Sequence, residues 1–339
     1  MTQHSTPVFS TVGIVGTGAM GRGIAQIAAQ AGSRVVLFDA APDAANKART
    51  AISQQWTKLV EKGRVTEFEA ASRAARLHVA HSVHDLAGCD LVVEAIVENL
   101  KVKQTVLSEI EAIVNSDAVL VSNTSSLSVT AIAAGLKRPA QFAGYHFFNP
   151  VPLMKVVEVI AGLKTDPAVC KKLADFAVQM GHKAVQAADT PGFIVNHAGR
   201  GFGTEALRIV SEGVADFVTI DRILRDQAGF KLGPFELMDL TALDVSHPVM
   251  ESIYHQYFEE PRYRPSVITA QRLAGGVLGR KTNAGFYDYK DGAAVIPPEP
   301  AVPVVAEMPP VWVSPRASRR SELLQLLKDL GATIETGAS

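Results

Sequence analysis

The stretch TVGIVGTGAMGRGIAQIAAQAGSRVVLFD, residues 11–39, decides the fold. Residues 11–16 form an apolar run typical of a buried strand, and residues 33–39 form a second such run. Between them, residues 19–31 show the periodicity of a helix. The segment has the length that a parallel strand–helix–strand crossover requires, so the sequence predicts such a unit here.

A glycine-rich turn joins the first strand to the helix. Gly16, Gly18 and Gly21, with Ala19 and Met20 between them, form the pattern G-x-G-x-x-G. The first glycine permits a tight turn, the second lets a pyrophosphate approach, and the third lets the helix pack closely on the strand. The helix N-terminus adds free N–H groups for phosphates. Because the pattern follows a strand and opens a helix, it favours a dinucleotide site over glycines that serve only a turn.

The second strand ends in a carboxylate, Asp39, which lies 18 residues after Gly21. A carboxylate at this place accepts hydrogen bonds from an adenosine ribose and repels a 2′-phosphate. No arginine follows it at once, since the next residues are AAPDAAN. The sequence therefore predicts NAD, not NADP, as the cofactor.

Composition excludes several classes of protein. The chain has 339 residues, 47% of them hydrophobic and 20% charged, which is typical of a globular protein of about two domains. A net charge of −1 argues against a nucleic-acid or membrane-surface partner. Two cysteines, Cys89 and Cys170, make no disulfide framework and favour a reducing compartment. With neither a secretory signal nor an apolar run of about 20 residues, we expect a cytoplasmic protein.

The order of strands and helices indicates the domains. Strands alternate with helices as far as residues 183–188, which predicts an α/β Rossmann-like domain with a mostly parallel sheet and helices on both faces. After DTPGF, residues 189–193, the periodicity is helical and predicts an all-α C-terminal domain. Helical runs are predicted at 193–215, 219–229, 235–258 and 266–276. The predicted domains are residues 1–190, residues 191–290, and a Pro-rich linker with a small strand–helix–strand tail at residues 291–339.

One strand contains an unexpected charge. Glu158 lies inside the β-branched run VVEVI, residues 156–160, and a buried carboxylate is costly unless a partner is close. His146 ends another short apolar run twelve residues earlier. The spacing alone leaves two alternatives open, a buried structural pair and a catalytic pair.

Six motifs in order resemble one family. Together they closely resemble the NAD-dependent L-3-hydroxyacyl-CoA dehydrogenases, including the 3-hydroxybutyryl-CoA dehydrogenases. The resemblance covers residues 11 to about 290. The motifs are GTGAMGRGIA, VEAIVENLKVK, SNTSSL, GYHFFNPVPLMKVVEVI, DTPGFIVN and GPFELMDLTALDV.

The resemblance implies a reaction and the residues that carry it out. The family oxidises (3S)-3-hydroxyacyl-CoA to 3-ketoacyl-CoA and catalyses the reverse, and we expect short to medium acyl chains, with acetoacetyl-CoA as the simplest ketone. The catalytic histidine corresponds to His146 and its carboxylate partner to Glu158. The substrate-contacting serine and asparagine correspond to Ser125 and Asn196. No metal is implied.

Other roles also follow from the resemblance. Glu98 and Lys103 correspond to the family's glutamate and lysine on the nicotinamide side. Lys58 and Lys62 correspond to lysines that contact CoA, although without the resemblance they read as an ordinary solvated helix face. The helical domain forms the dimer interface in this family, so a homodimer is expected.

The chain departs from the family after PGFIVN. An arginine and then a proline usually follow, whereas this chain continues with HAGRGFG, residues 197–203. The extra glycines are expected to loosen the helix and to alter the local shape of the acyl pocket.

Three alternatives remain. The sugar-acid dehydrogenases related to lens crystallin share this scaffold and much of the motif set. The 3-hydroxyisobutyrate group relies on a catalytic lysine, and the His146–Glu158 pair argues against it. A non-catalytic nucleotide-binding protein has no need of Ser125, His146, Glu158 and Asn196 together.

Three histidines, His78, His81 and His84, could suggest a metal site. No further acidic or thiol ligand lies near them in the sequence, so they are interpreted as surface residues.

Overall fold

The computed structural model describes residues 7–299, 301 and 309–335. The chain divides into two compact units, residues 1–295 and residues 296–339. Part of the predicted Pro-rich linker, and Thr336 at the end of the predicted last strand, lie outside the described residues.

One eight-stranded sheet dominates the first unit. Its strands are β1 (Thr11–Val15), β2 (Arg34–Phe38), β3 (Leu77–Val79), β4 (Leu91–Glu94), β5 (Val119–Ser122), β6 (Phe142–Phe147), β7 (Val156–Ala161) and β8 (Lys183–Ala188). Their spatial order is β3-β2-β1-β4-β5-β6-β7-β8. Strands β1 to β6 are parallel, so the predicted mostly parallel sheet is confirmed. The order reverses between β1 and β4, and a cofactor binds at such a switch point in open α/β sheets.

Helices cover both faces of the sheet, as predicted. They are α1 (Ala19–Gln30), α2 (Ala44–Glu61), α3 (Glu67–Ala74), α4 (Leu100–Ile113), α5 (Val129–Ala133) and α6 (Pro167–Gln179), with single turns at Val83–Leu86 and Pro139–Gln141. Ile24, Trp56 and Phe176 bring α1, α2 and α6 into one buried cluster. Leu107 and Ile132 bring α4 and α5 into the other.

Two of the strands follow each other without a helix, which the predicted alternation did not foresee. The loop of residues 148–155 joins β6 to β7, and these two strands are antiparallel. A parallel crossover needs a dozen or more residues, so a loop of this length returns the chain in the opposite direction. Strand β7 then pairs in parallel with β8.

The glycine-rich turn has the geometry that its sequence predicts. Gly16 has φ +90°, and a Cβ on it would lie 2.6 Å from the carbonyl oxygen of Ala95, after β4. A Cβ on Gly21 would lie 1.8 Å from the carbonyl oxygen of Gly16. Any side chain at either position would push the turn or the helix away from the sheet.

Helices make up the rest of the first unit. They are α7 (Val195–Ala198), α8 (Arg200–Ser211), α9 (Phe217–Arg222), α10 (Pro234–Thr241), α11 (Leu243–Gln256) and α12 (Val267–Ala274), with a π-helical segment at Ile223–Gln227 and single turns at Pro261–Tyr263 and Arg280–Thr282. Two predicted helical runs are divided. One breaks at Gly199, in the segment where extra glycines were expected to loosen the helix, and the other breaks at Ala242, which has φ +64°. A small hairpin, β9 (Tyr289–Lys290) and β10 (Ala293–Ala294), is an addition to the predicted all-α part.

Two buried carboxylates hold this helical part together. Asp221 accepts hydrogen bonds from two N–H groups in the first turn of α10 and from the hydroxyl of Tyr287, at 2.8 Å. Asp239 accepts from the N–H groups of Phe286 and Tyr287, at 2.9 Å each. Burial raises the pKa of Asp221 to about 6, although these hydrogen bonds lower it. Burial also raises the pKa of Asp239.

The second unit is a small strand–helix–strand fold. It contains β11 (Val311–Trp312), α13 (Arg320–Asp329) and β12 (Ile334–Glu335), and the two strands pair in parallel. This is the element order predicted for the tail. In the described part of the whole chain, no helix is both long and apolar enough to cross a membrane.

We expect Asp221→Asn to remove part of the pH dependence of stability. The folded-state pKa of about 6 lies above the unfolded value of about 3.9, so the folded state holds the proton more tightly. This contribution stabilises the protein below about pH 4 and is lost as the pH rises to about 6. Urea unfolding between pH 4 and 7 should show the stability advantage of the wild type over the variant shrinking across this window. An advantage that grows with pH would contradict the raised pKa, and the exposed Asp175→Asn serves as the control.

Candidate active site

A histidine and a glutamate face each other across β6 and β7. His146 and Glu158 are directly opposite in the antiparallel register, and both are buried. The distance from His146 Nδ1 to Glu158 Oε2 is 2.6 Å. The pair that the sequence placed twelve residues apart is therefore a hydrogen-bonded unit in the sheet.

Glu158 has two further donors that the sequence did not predict. Its Oε1 accepts from the N–H groups of Ile194 and Val195, at 2.9 Å each. These groups open α7, and the turn before them has positive φ at Gly192 (+79°) and Phe193 (+51°). Burial raises the pKa of Glu158, but the hydrogen bonds from His146 and from the N–H groups of Val195 and Ile194 lower it by more, so the net pKa lies below its usual value. Since an ionised carboxylate only accepts, Nδ1 of His146 carries the proton.

The other nitrogen of the imidazole faces a polar group. Ser125 Oγ lies 3.1 Å from His146 Nε2, and Asn196 Nδ2 donates to the backbone carbonyl of Ser125 at 3.2 Å. The rings of Phe148 and Phe193 pack against the imidazole, at 4.5 and 5.7 Å between centroids. The structure thus brings together all four residues predicted for catalysis.

Glu98 fixes the loop that carries Ser125. Its Oε1 accepts from the N–H groups of Ser125 and Ser126 and from the hydroxyl of Thr124. Burial raises the pKa of Glu98, but the charge of Lys103 and these hydrogen bonds bring it below its usual value. The side chain is therefore a loop anchor, and its predicted contact with the nicotinamide side stays a prediction.

Lys103 is buried between carboxylates. Its side chain is 1% exposed, and its Nζ lies 2.7 Å from Glu94 Oε1 and 3.3 Å from Glu98 Oε2. Glu94 is also bonded by the hydroxyl of Ser122, at 2.6 Å. Sequence reasoning missed Glu94. Its signal was the same as that of Glu158, a carboxylate at the end of the otherwise apolar strand LVVE.

The glycine-rich turn is held by Asp39. Its Oδ2 accepts from the N–H and the hydroxyl of Thr17, at 2.7 and 2.8 Å, and its Oδ1 accepts from the N–H of Ala41. Burial raises the pKa of Asp39, but these hydrogen bonds bring it below the usual value. At Gly18 a Cβ would meet no atom within 4 Å in the described chain, so the space outside the turn is open.

Two family models match the chain. Residues 11–190 match the NAD binding domain of 3-hydroxyacyl-CoA dehydrogenase, and residues 192–289 match the C-terminal domain of the same family. The chain belongs to the 3-hydroxyacyl-CoA dehydrogenase family. Its cofactor is NAD, as the sequence predicted.

Proteins with similar sequences carry names from this family. A 3-hydroxyadipyl-CoA dehydrogenase of Escherichia coli is 40% identical over 280 residues, which cover 83% of this chain but only 59% of that protein. A probable 3-hydroxybutyryl-CoA dehydrogenase of Deinococcus radiodurans is 40% identical over 277 residues, covering 82% of this chain and 99% of that protein. The crystal structure of an (S)-3-hydroxybutyryl-CoA dehydrogenase from Ralstonia eutropha superposes with a TM-score of 0.80, at 38% identity, covering 84% of this chain and 100% of that one.

The residues of the glycine-rich turn fit a bound NAD. The open space at Gly18 adjoins the N-terminus of α1, whose N–H groups and dipole attract a pyrophosphate. Asp39 has about four acceptor positions, and Thr17 and Ala41 use three of them. One position therefore remains for a ribose hydroxyl.

A contact from the helical part, which the sequence did not predict, reaches the loop that carries Ser125 and Ser126. Gln256, at the end of α11, donates to the carbonyl of Ser126 at 2.6 Å. Its neighbour Tyr257 has its hydroxyl 2.8 Å from Nδ1 of His197, the residue after Asn196. Asn196 and Gln256 thus hold two consecutive carbonyls of the serine loop, and the His197–Tyr257 contact joins the two donors.

The remaining candidates lie apart from this cluster. Lys58 and Lys62 are exposed at the end of α2. His81 and His84 are exposed and His78 is half-buried in β3. Within the described residues, no group of three or more His, Cys, Asp or Glu is arranged to hold a metal ion.

We expect Lys103→Met to destabilise the protein by about 3–5 kcal/mol, because it leaves Glu94 buried without its cation. Urea unfolding measures the loss, and Lys101→Met, an exposed lysine of the same helix, is the control. Adding Glu94→Gln to the variant should restore much of the stability. A stable Lys103→Met protein that binds NADH weakly would show instead that this lysine serves the cofactor.

Proposed function

We propose that this protein oxidises (3S)-3-hydroxyacyl-CoA esters of short to medium chain length to 3-ketoacyl-CoA with NAD, and catalyses the reverse reaction. The observation that carries the proposal is the unbroken line of hydrogen bonds from Ser125 through His146 to Glu158. Its two contacts are 3.1 Å at Nε2 and 2.6 Å at Nδ1. The line lies in the sheet that also carries the NAD binding turn.

His146 acts as the base and the acid. Because Nδ1 donates to Glu158, neutral His146 presents the lone pair of Nε2, which takes the proton from the C3 hydroxyl. The ionised Glu158 stabilises the imidazolium that forms, as the aspartate does in a serine-protease triad. In the reverse direction, the imidazolium returns the proton to the oxygen at C3. NAD, when bound, accepts the hydride from C3.

Ser125 and Asn196 position the reacting oxygen. The hydroxyl of Ser125 already lies at hydrogen-bond distance from the base, so a substrate oxygen bonded to it is within reach of Nε2. Asn196 uses one amide hydrogen on the carbonyl of Ser125, and the second is available to the substrate. Hydrogen bonds from both residues would fix the substrate oxygen in the orientation that proton transfer to Nε2 requires.

The names of relatives support short acyl chains. The Escherichia coli relative is named for 3-hydroxyadipyl-CoA and the Deinococcus radiodurans relative for 3-hydroxybutyryl-CoA, which differ at the far end of the acyl group. A panel of 3-ketoacyl-CoA esters from four carbons upward, followed by NADH absorbance, tests the proposal. Turnover of a free sugar acid in place of these esters would favour the sugar-acid alternative, and no NADH oxidation with acetoacetyl-CoA would favour a non-catalytic protein.

Further properties belong to the same proposal. The chain works in the cytoplasm, without nucleic-acid or membrane partners, and forms a homodimer through its helical domain, where Val245, Leu240 and Phe258 are exposed. The boundary between the two domains lies at Asp189–Pro191. The tail, residues 291–339, carries no catalytic residue.

We expect His146→Gln to lower kcat by about 10²–10⁴-fold, the usual contribution of general acid–base catalysis. NADH binding, measured by fluorescence, should change little, since the substitution does not touch the glycine-rich turn. His182→Gln is the control, because this buried histidine bonds only to the carbonyls of Met180 and Val151. Near-wild-type turnover in His146→Gln would refute the base role.

We expect charge reversal at both Lys58 and Lys62 to raise the KM for acetoacetyl-CoA at least about tenfold, from roughly 1 kcal/mol per exposed contact to a CoA phosphate. The KM for NADH should stay near the wild-type value. Lys47→Glu, at the other end of α2, is the matched control. A parallel rise in both constants would indicate general damage and would remove these lysines from the substrate site.

A further inference from the structure

An arginine stands without a partner beside the proposed substrate site. Arg200 is the first residue of α8, and its Nε is inaccessible to solvent and bonded to nothing among the described residues. The side chain as a whole is half-buried, so part of the guanidinium can be reached from outside. Burial lowers the pKa of Arg200, with no neighbouring carboxylate to oppose it.

A structural reason for this arginine is missing. A cation in the first turn of a helix is unfavourable because it faces the positive end of the dipole, and α8 has no acidic residue in that turn. A half-buried charge without a partner is also destabilising. Both effects act against the fold, as is common for a group retained to bind a ligand.

The position of Arg200 points to the acyl group of the substrate. It follows Asn196 by four residues, and although α7 ends at Ala198 and α8 begins at Arg200, Gly199 between them keeps a right-handed helical conformation. Residues four apart lie on one helix face, with Cβ atoms about 5–6 Å apart. Since Asn196 contacts the serine that touches His146, Arg200 lies about one helical turn from a residue of the proposed substrate site.

Space beside Arg200 is open. A Cβ at Gly203, three residues further along α8, would meet no atom of the described chain within 4 Å. His197, where the family usually carries an arginine, is instead occupied by the hydroxyls of Tyr257 and Tyr263. The arginine of this segment therefore stands one turn later than usual and faces space that a ligand can fill.

We infer that Arg200 binds a carboxylate at the far end of the acyl chain, so that the preferred substrates are CoA esters of short dicarboxylic acids. A guanidinium matches a carboxylate with two parallel hydrogen bonds, whereas a simple alkyl chain leaves the charge unpaired. About one helical turn, 5.4 Å, separates Asn196 from Arg200, a spacing that suits a six-carbon chain whose C3 oxygen is bound at Asn196. The inference rests on the proposed function, whose CoA contacts lie on α2 and not on α8.

The test compares two esters of equal length in the direction of NADH oxidation: 3-oxoadipyl-CoA, with a terminal carboxylate, and 3-oxohexanoyl-CoA, without it. In the wild type we expect kcat/KM to be about 10–100-fold higher for 3-oxoadipyl-CoA, from hydrogen bonds to a charged group. Arg200→Leu should abolish this preference, chiefly through KM, and Arg200→Lys should retain part of it. Arg208→Leu, on the same helix but exposed and paired with Glu212, should keep the wild-type ratio.

Other outcomes overturn the inference. Equal kcat/KM for the two esters in the wild type would do so, and so would an Arg200→Leu variant that loses both activities equally, which indicates a CoA contact or a structural role. A lower melting temperature in Arg200→Leu would also favour a structural role. Should neither ester nor acetoacetyl-CoA be turned over, the proposed function fails. Calorimetric binding of the two esters to wild type and Arg200→Leu then decides the inference by itself, and equal affinities would reject it.

Discussion

The carboxylate of Glu158 joins three parts of the chain that are distant in sequence. One oxygen holds the imidazole of His146 on the neighbouring strand, and the other holds the N–H groups of Ile194 and Val195, where the helical part begins. A buried carboxylate is tolerated only when its hydrogen bonds are filled, and here the donors come from both sides. The geometry proposed for catalysis and the junction between sheet and helices therefore depend on the same side chain.

Carboxylates also anchor the other loops at this edge of the sheet, although they are less buried than Glu158. Asp39 holds the glycine-rich turn, and Glu98 holds the loop that carries Ser125. Asp189 accepts from the N–H groups of Val129 and Thr130 at the start of α5. Each carboxylate accepts hydrogen bonds from backbone N–H groups of the loop that it holds. Charge-assisted hydrogen bonds of this kind are stronger than neutral ones, which keeps the loops rigid around a ligand.

The sequence predicted those parts of the fold that depend on residues close together in the chain. The unit of residues 11–39 was identifiable because a turn that needs glycine stands between a strand and a helix of clear periodicity. The antiparallel return between β6 and β7 was not, since periodicity gives no strand direction. The pairing of His146 with Glu158 could be suspected, because a carboxylate inside an apolar strand requires a partner.

Contacts between segments distant in the sequence could not be predicted from it. The donation from Gln256 to the carbonyl of Ser126 joins residues 130 positions apart, and a glutamine at a helix end has no special pattern. The positive φ of Phe193 could not be foreseen, because a non-glycine residue adopts it only where its surroundings impose it. Lys103 matched a family motif, but its burial between Glu94 and Glu98 depends on helix packing that only the structure supplies.

The alignment of His146 with Glu158 depends on one feature of the sheet, the register of β6 against β7. Their alignment is set by the ladder of the two strands, not by the loop of residues 148–155 that joins them. Because side chains alternate between the faces of a sheet, a shift of one residue within either strand would turn one partner away from the other. Insertions and deletions in the loop leave the ladder intact. A change in the length of that loop would therefore not by itself alter the alignment of the pair proposed to transfer the proton.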